Sequence, residues 1–276
     1  MTLMQRRSYG GPLRAVIFDW AGTMVDYGCF APVVVFVEIF RRRGIELSIG
    51  QARAPMGLEK RDHIRAIAQM PEVSAAWLAV HGVPWTEADI DALYRDSVTT
   101  QAATVVEYAD LIPGALKTVR HCRERGLQIG ATTGYSRDVM AALLPAAAAR
   151  GYVPDATVCP SDVPAGRPAP WMLYQNAIDL RVYPFAAVVK VGDTIPDIDE
   201  ALNAGAWAVA VSQTGNALGL TGAEAEALDP AALAEQLAPI EAMLYEAGAH
   251  AVIRSVAELP AVLDAIEARL RAGERP

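Results

Sequence analysis

Two aspartates in this sequence each close an apolar run: Asp19 follows "AVIF" and Asp193 follows "VVKVG". If those runs are neighbouring strands, the two carboxylates oppose one another and repel unless a cation lies between them. A cation held by so few side-chain oxygens fits Mg2+, which keeps water and takes further oxygens from its substrate. Thr133, at the end of "LQIGATT", and the backbone amides that lead from it into a helix suit a phosphoryl group. Arg167 in "PAGRP" adds charge-assisted donors for the same anion, although taken alone it reads better as a surface ion pair. A lone strand-end aspartate is commonly a helix cap or turn former; the pair is harder to explain that way. Two residues after Asp19 stands Ala21, where many enzymes with this kind of opening carry a second aspartate.

These residues need a scaffold that brings them together from distant parts of the chain. The apolar segments "RAVIF", "LQIGATT", "ATVCP", "AAVVKVGD", "AWAVAVS" and "HAVIRSV" read as short buried strands. Helical segments such as "SRDVMAALLPAAAARG", "APWMLYQNAIDL" and "IPDIDEALNAG" separate most of them, which indicates a mainly parallel sheet covered on both faces. In such sheets ligands bind beyond the carboxyl ends of the strands, where Asp19, Thr133 and Asp193 fall.

Residues 27–102 have a different texture, helical throughout and without a convincing strand. "APVVVFVEIFRRRG" has a proline near its start and closes on Gly44. "SIGQ" is a capping box that opens a short helix stopped by Pro55. "MGLEKRDHIRAIAQM" turns at Gly57 and resumes as helix, and Thr86 caps a long helix from "TEADIDALY" onward. The expected fold is therefore α/β, a doubly wound, Rossmann-like parallel-sheet core (residues 1–26 and 103–276) with an inserted all-helical cap domain (27–102). There is no internal repeat.

Composition narrows the function. The 276 residues are 53% hydrophobic and carry a net charge of −8, with no basic stretch interleaved with aromatics, so nucleic acid is an unexpected partner. "FAPVVVFVEIF" is too short to cross a bilayer, no membrane partner is expected, and "MTLMQRRSYGGPLR" lacks an apolar segment of signal-peptide length. Three separated cysteines, Cys29, Cys122 and Cys159, fit a reducing cytoplasm rather than a disulfide framework. Four histidines without paired spacing argue against zinc.

The segments "FDWAGTMVD", "TTGY", "GRPAPW" and "GDTIPD" resemble the four motifs of the haloacid dehalogenase superfamily in its magnesium-dependent branch. With "ARAPMGLEKRDHIRA" and "VPAGRPAPW" the likeness narrows to the phosphonoacetaldehyde hydrolase (phosphonatase) family, from about residue 14 to the C-terminal helix. The stretch "PMGLEKRDH" together with Ala21 is its most specific part. The resemblance implies Asp19 as nucleophile and Mg2+ ligand, the Ala21 carbonyl and Asp193 as further metal ligands, and Asp197 as support of the metal shell. It implies that Thr133, Gly134 and Arg167 hold the phosphonate, that Lys60 forms a Schiff base, and that Met56, Gly57, Cys29 and Tyr135 line the closed site. His63, three residues beyond Lys60 and so on the same helix face, has an ordinary pKa near 6.5 that suits proton transfer. A structural histidine is the other reading, as a solvated helix face is for an isolated lysine in "LEKRDH".

The implied reaction cleaves the phosphorus–carbon bond of phosphonoacetaldehyde, giving acetaldehyde and phosphate in 2-aminoethylphosphonate degradation, through a Lys60 Schiff base and an Asp19 aspartyl phosphate. An iminium on the neighbouring carbon accepts the bond's electrons as an enamine. Such a leaving group needs no proton at cleavage, so Ala21 replaces a general acid without loss. The resemblance also implies a homodimer through helices such as "APVVVFVEIF". A phosphatase or phosphomutase for a small phosphate ester is the alternative, disfavoured by Ala21; a non-catalytic sensor on the same fold is a third.

Overall fold

The computed structural model describes residues 9–276. Residues 1–8, part of the N-terminal stretch considered for export and of the expected core range, lie outside it.

Strand β1 (Ala15–Phe18) is followed by five helices: α1 (Phe30–Arg41), α2 (Ile49–Arg53), α3 (Lys60–Ala68), α4 (Pro71–His81) and α5 (Glu87–Thr104). Then come α6 (Ala115–Glu124), β2 (Gln128–Thr132), α7 (Arg137–Ala149), β3 (Ala156–Val158), α8 (Trp171–Asp179) and β4 (Val188–Gly192). The chain ends with α9 (Ile195–Ala204), β5 (Trp207–Val211), α10 (Gly222–Ala227), α11 (Pro230–Glu246), β6 (Ala251–Ile253) and α12 (Leu259–Arg271). All six expected strands are present, as is the helical texture between β1 and β2. The first helix stops at Arg41, short of Gly44, whose φ of 76° turns the chain back.

The six strands form one parallel sheet in the order β3-β2-β1-β4-β5-β6. Alternate residues serve opposite faces. Val16 and Phe18 join the large core with Ile129, Val189, Val139 and Leu263, whereas Ala15 and Ile17 pack with Leu173 and Val188. Burial on both sides explains why these strands read as continuous apolar runs rather than as alternating ones. The strand order reverses between β1 and its two neighbours, and it is there that a crevice opens at the carboxyl ends.

Local signals define the helical insert. Ser48 and Gln51 complete the capping box of α2, and Thr86 and Asp89 that of α5. The buried Asp26 carboxylate accepts the Phe30 and Ala31 amides at 2.9 Å each, capping α1 from outside the helix. The chain leaves and rejoins the sheet at one place. Val25 pairs antiparallel with Leu111, Asp26 N donates to Asp110 O at 3.1 Å, and Ile112 N donates to Met24 O at 2.9 Å. Among the described residues no helix is long and apolar enough to cross a membrane.

Candidate active site

The floor of the crevice is built on β1 and β4. Asp19 N donates to Val191 O at 2.8 Å, extending the ladder one residue past β1 and placing the Asp19 side chain beside the end of β4. Asp193 follows β4 directly. Ligand oxygens of Asp19, Asp193 and Asp197 all lie within 4.8 Å of one another, and all three residues are buried. A Cβ at Gly22 would come within 2.4 Å of Asp193 Oδ2, and φ there is +77°, so only glycine lets the turn after β1 approach that carboxylate.

The three carboxylates are not equivalent. Arg167 Nη2 donates to Asp19 Oδ1 at 2.6 Å and to Thr132 Oγ1 at 2.9 Å, and Nη1 forms an ion pair with Asp197 Oδ1 at 2.9 Å. Lys190 Nζ lies 2.9 Å from the same Asp197 oxygen and donates to Thr132 Oγ1 at 2.7 Å. Glu200 is an ion-pair partner of both cations, at 3.3 and 3.5 Å. Burial works to raise the Asp197 carboxyl, but Arg167 and Lys190 outweigh it and hold its pKa below the ordinary value. Asp193 has a backbone donor, Asn216 N at 2.7 Å, and no cation within ion-pair distance among the described residues. Burial, with Asp19 and Asp197 close by, pushes its pKa well above the usual range. Burial also raises Asp19 in spite of Arg167.

In the floor, four buried carboxylates thus face two buried cations, Arg167 and Lys190, an excess of two negative charges if all are ionised, or of one if Lys60 in the roof is charged as well. That excess, concentrated at Asp193 and Asp19, fits a divalent cation held by those two carboxylates. Ala21 lines the same space, and the hydrogen bonds closing the turn end on the Trp20, Val25 and Asp26 carbonyls rather than on its own. Asp197 is committed to Arg167 and Lys190, consistent with a supporting place.

The roof comes from the insert and from the loop after β2. Lys60 opens α3, is 5% exposed, and lines a cleft of about 310 Å³ opposite Asp19, Thr133 and Arg167. Its Nζ lies 5.1 Å from the Tyr135 ring centre and 5.5 Å from that of Phe36. Among the described residues no carboxylate comes within ion-pair distance of it. Burial lowers its pKa; Cys29 and Asp19 oppose this, and Arg167 reinforces it. Arg61 and Arg65 bind Glu87, and Arg61 also binds Asp91 at 2.7 Å, fixing α3 against α5. Gly57, at φ +95°, brings the segment before α3 against the core, where a Cβ would meet Thr194 Oγ1 at 2.3 Å.

Of the expected site residues, Asp19, Ala21, Cys29, Met56, Gly57, Lys60, Thr133, Gly134, Tyr135, Arg167 and Asp193 line this one cleft. The Thr133 hydroxyl also accepts Tyr135 N at 3.0 Å, shaping the turn. His63 is not brought into the cleft. It is fully buried, its ring stacks on Phe36 at 4.0 Å, and its Nε2 is 2.9 Å from Ala52 O. Burial, and then Lys60, depress its pKa well below 6.5, leaving it neutral. The expected proton carrier therefore lies outside the cleft, stacked on Phe36 of α1, an arrangement that favours the structural reading of His63. Sequence reasoning missed Lys190 and Glu200. The signal was a lysine inside a wholly buried strand, with Glu200 one helical turn after Asp197.

The sequence model of the haloacid dehalogenase-like hydrolases matches residues 13–205. A phosphonoacetaldehyde hydrolase-like protein of Syntrophobacter fumaroxidans is 50% identical over 268 residues, covering 97% of each chain. A phosphonoacetaldehyde hydrolase of Nitratidesulfovibrio vulgaris is 48% identical, covering 99% of this chain and 98% of that one. Among solved structures, a phosphonoacetaldehyde hydrolase-like protein from Oleispira antarctica superimposes over 100% of both chains with a TM-score of 0.98 at 39% identity.

Proposed function

We propose, from the premise that the chain belongs to the haloacid dehalogenase-like hydrolase family, that it hydrolyses phosphonoacetaldehyde to acetaldehyde and phosphate. The observation that carries this reading is Lys60, a buried amine without a carboxylate partner, facing Asp19 across one cleft. A phosphate-ester hydrolase has no use for such an amine, and it would want a carboxylate where Ala21 stands.

In this reading the neutral Lys60 amine attacks the aldehyde carbon, and loss of water gives an iminium. Arg167 pins one Asp19 oxygen and the other attacks phosphorus. The phosphorus–carbon bond breaks, and its electron pair moves through the carbon–carbon bond onto the iminium nitrogen as an enamine. Protonation of the enamine carbon and addition of water release acetaldehyde and regenerate Lys60. A second water cleaves the aspartyl phosphate to phosphate and Asp19. Thr133, Gly134 and Arg167 hold the phosphonate oxygens, while Cys29, Met56, Gly57 and Tyr135 keep bulk water from the iminium. Mg2+ bound by Asp19, Asp193 and the Ala21 carbonyl, with Asp197 behind, would supply the positive charge that offsets the surplus carboxylates and the incoming dianion.

The division into core (1–26 and 103–276) and cap (27–102), a place in 2-aminoethylphosphonate degradation in the cytoplasm, and a homodimer through α1 belong to the same reading. Val33, Val35, Phe36, Ile39 and Phe40 of α1 are already buried within this chain, while Val34 is 38% exposed. A single 29.5 kDa species on gel filtration would remove the dimer. The enzymatic reading is tested by adding phosphonoacetaldehyde and borohydride together and mapping the modified peptide. A reduced two-carbon adduct on Lys60 is expected. An adduct confined to Lys117 or Lys190, or none during active turnover, ends the Schiff-base mechanism.

A further inference from the structure

Arg53, the last residue of α2, differs from Arg41, Arg42, Arg43, Arg61 and Arg65 of the insert: it has no carboxylate within ion-pair distance among the described residues. Its Nη1 donates to Gly28 O at 2.6 Å and to Asn216 Oδ1 at 3.0 Å, and its guanidinium lies 4.8 Å from the Phe30 ring centre. Asn216 replies, its Nδ2 donating to Arg53 O at 3.3 Å. The pair joins α2 to the loop after β5, and the backbone N–H of Asn216 is the one that donates to Asp193.

Packing around this link is loose. A cavity lies between α2 and the core, lined by Arg53, Met56, Asp193, Thr194, Asn216 and Met243. Polar contact across that gap runs through Arg53 and Asn216. On one side Arg53 precedes Met56, Gly57 and Lys60 by three, four and seven residues; on the other, Asn216 holds the carboxylate that has no cation partner among the described residues. We propose that Arg53 and Asn216 are positioning residues that form a latch, making the orientation of Asp193 and the docking of the Met56–Lys60 segment a single event. This deepens the reading of Asp193 as a metal ligand and rests on it. A cation that fixes Asp193 then fixes the Asn216 loop, and through Arg53 the placing of Lys60. By linkage the two ends influence each other equally.

The test measures Lys60 labelling by acetaldehyde and borohydride in the full-length protein, with and without Mg2+, and Mg2+ binding by calorimetry. In the unaltered protein Mg2+ should raise Lys60 labelling about fivefold, within the usual range for coupled sites. Asn216→Ala, which keeps the backbone N–H to Asp193, and Arg53→Met should abolish that dependence and weaken Mg2+ binding. Arg53→Lys should restore it only in part, since a more strongly hydrated ammonium lacks the planar guanidinium's packing on the Phe30 ring. A merely structural pair would lower the melting temperature of Asn216→Ala and leave the Mg2+ dependence of labelling intact, which would overturn the latch. An unaltered protein that binds Mg2+ without any change in Lys60 labelling would overturn it too. No Mg2+ binding by the unaltered protein would instead remove the metal reading beneath it.

Discussion

The two cations Lys60 and Lys190 are both buried lysines at one site, yet they stand in opposite surroundings. Lys190, in the floor, has Asp197 and Thr132 within 2.9 Å and Glu200 at 3.5 Å. Lys60, in the roof, has aromatic rings and no carboxylate partner. The same side chain is paired with carboxylates in one place and, in the other, left beside aromatic rings where burial lowers its pKa. Chemistry at this site is set less by which ionisable residues are present than by which of them the fold leaves without a partner. Asp193 repeats the lesson for the carboxylates beside Asp197.

Lys60→Arg breaks the contrast most severely, because a guanidinium keeps the charge and cannot become a nucleophile. Turnover of phosphonoacetaldehyde should fall by about 10⁴-fold or more, with the borohydride adduct gone. Residual turnover close to that of the unaltered enzyme would show the amine to be dispensable.

Ala21→Asp gives the roof lysine a counter-charge. In the proposed mechanism activity needs the neutral amine, so it should rise with pH through the Lys60 pKa. A nearby carboxylate raises that pKa by roughly one or two units, shifting the rise to higher pH and slowing turnover near pH 7 by about 10- to 100-fold. A pH–rate profile that does not move would sink this account of position 21.

Asp197→Asn strikes the floor. It leaves Arg167 and Lys190 short of a partner in a dry interior, and removing one member of a buried ion pair costs about 3–5 kcal/mol. Chemical denaturation should report a loss of that order.

His63→Gln should be mild for chemistry, changing kcat by less than about threefold if the residue only packs. Its signature is in stability against pH. The folded pKa lies well below 6.5 while the unfolded one stays near 6.5, so the unfolded chain takes the proton first. The stabilisation is complete above about pH 6.5 and declines below it, by up to about 1.4 kcal/mol per pH unit. The difference between the two proteins should therefore shrink from pH 7 to pH 5. A constant difference would show that folding leaves the His63 pKa unchanged, and one that grows toward pH 5 would show the ring charged in the fold.

Much of the site was legible because Asp19, Thr133 and Asp193 sit at strand ends, and apolar runs mark strand ends plainly. The Gly57 turn, the Ser48–Gln51 capping box and the Thr86 cap were legible for a similar reason, being decided within a few residues. What the sequence concealed were relations across elements. Spacing put His63 on the face of Lys60 but gave no sign that its ring would stack on Phe36 of α1, outside the cleft. The partners of Lys190 depend on β4 lying beside β1 and on how α9 packs, and Arg53 meets Asn216 from 163 residues away. Local chemistry is written locally; pairing is a property of the assembled sheet.

The clip of Met24–Asp26 against Asp110–Ile112 also constrains motion. Both ends of five helices are fastened at one spot, by backbone bonds between two short antiparallel segments. A body attached at two distant points can only flex between them, whereas one attached at a single paired seam can swing about one axis like a door. To swing the edge that carries Met56 and Lys60, the Arg53–Asn216 link and the packing of α5 on α7 have to be released, while the sheet that bears Asp19 and Asp193 need not deform at all.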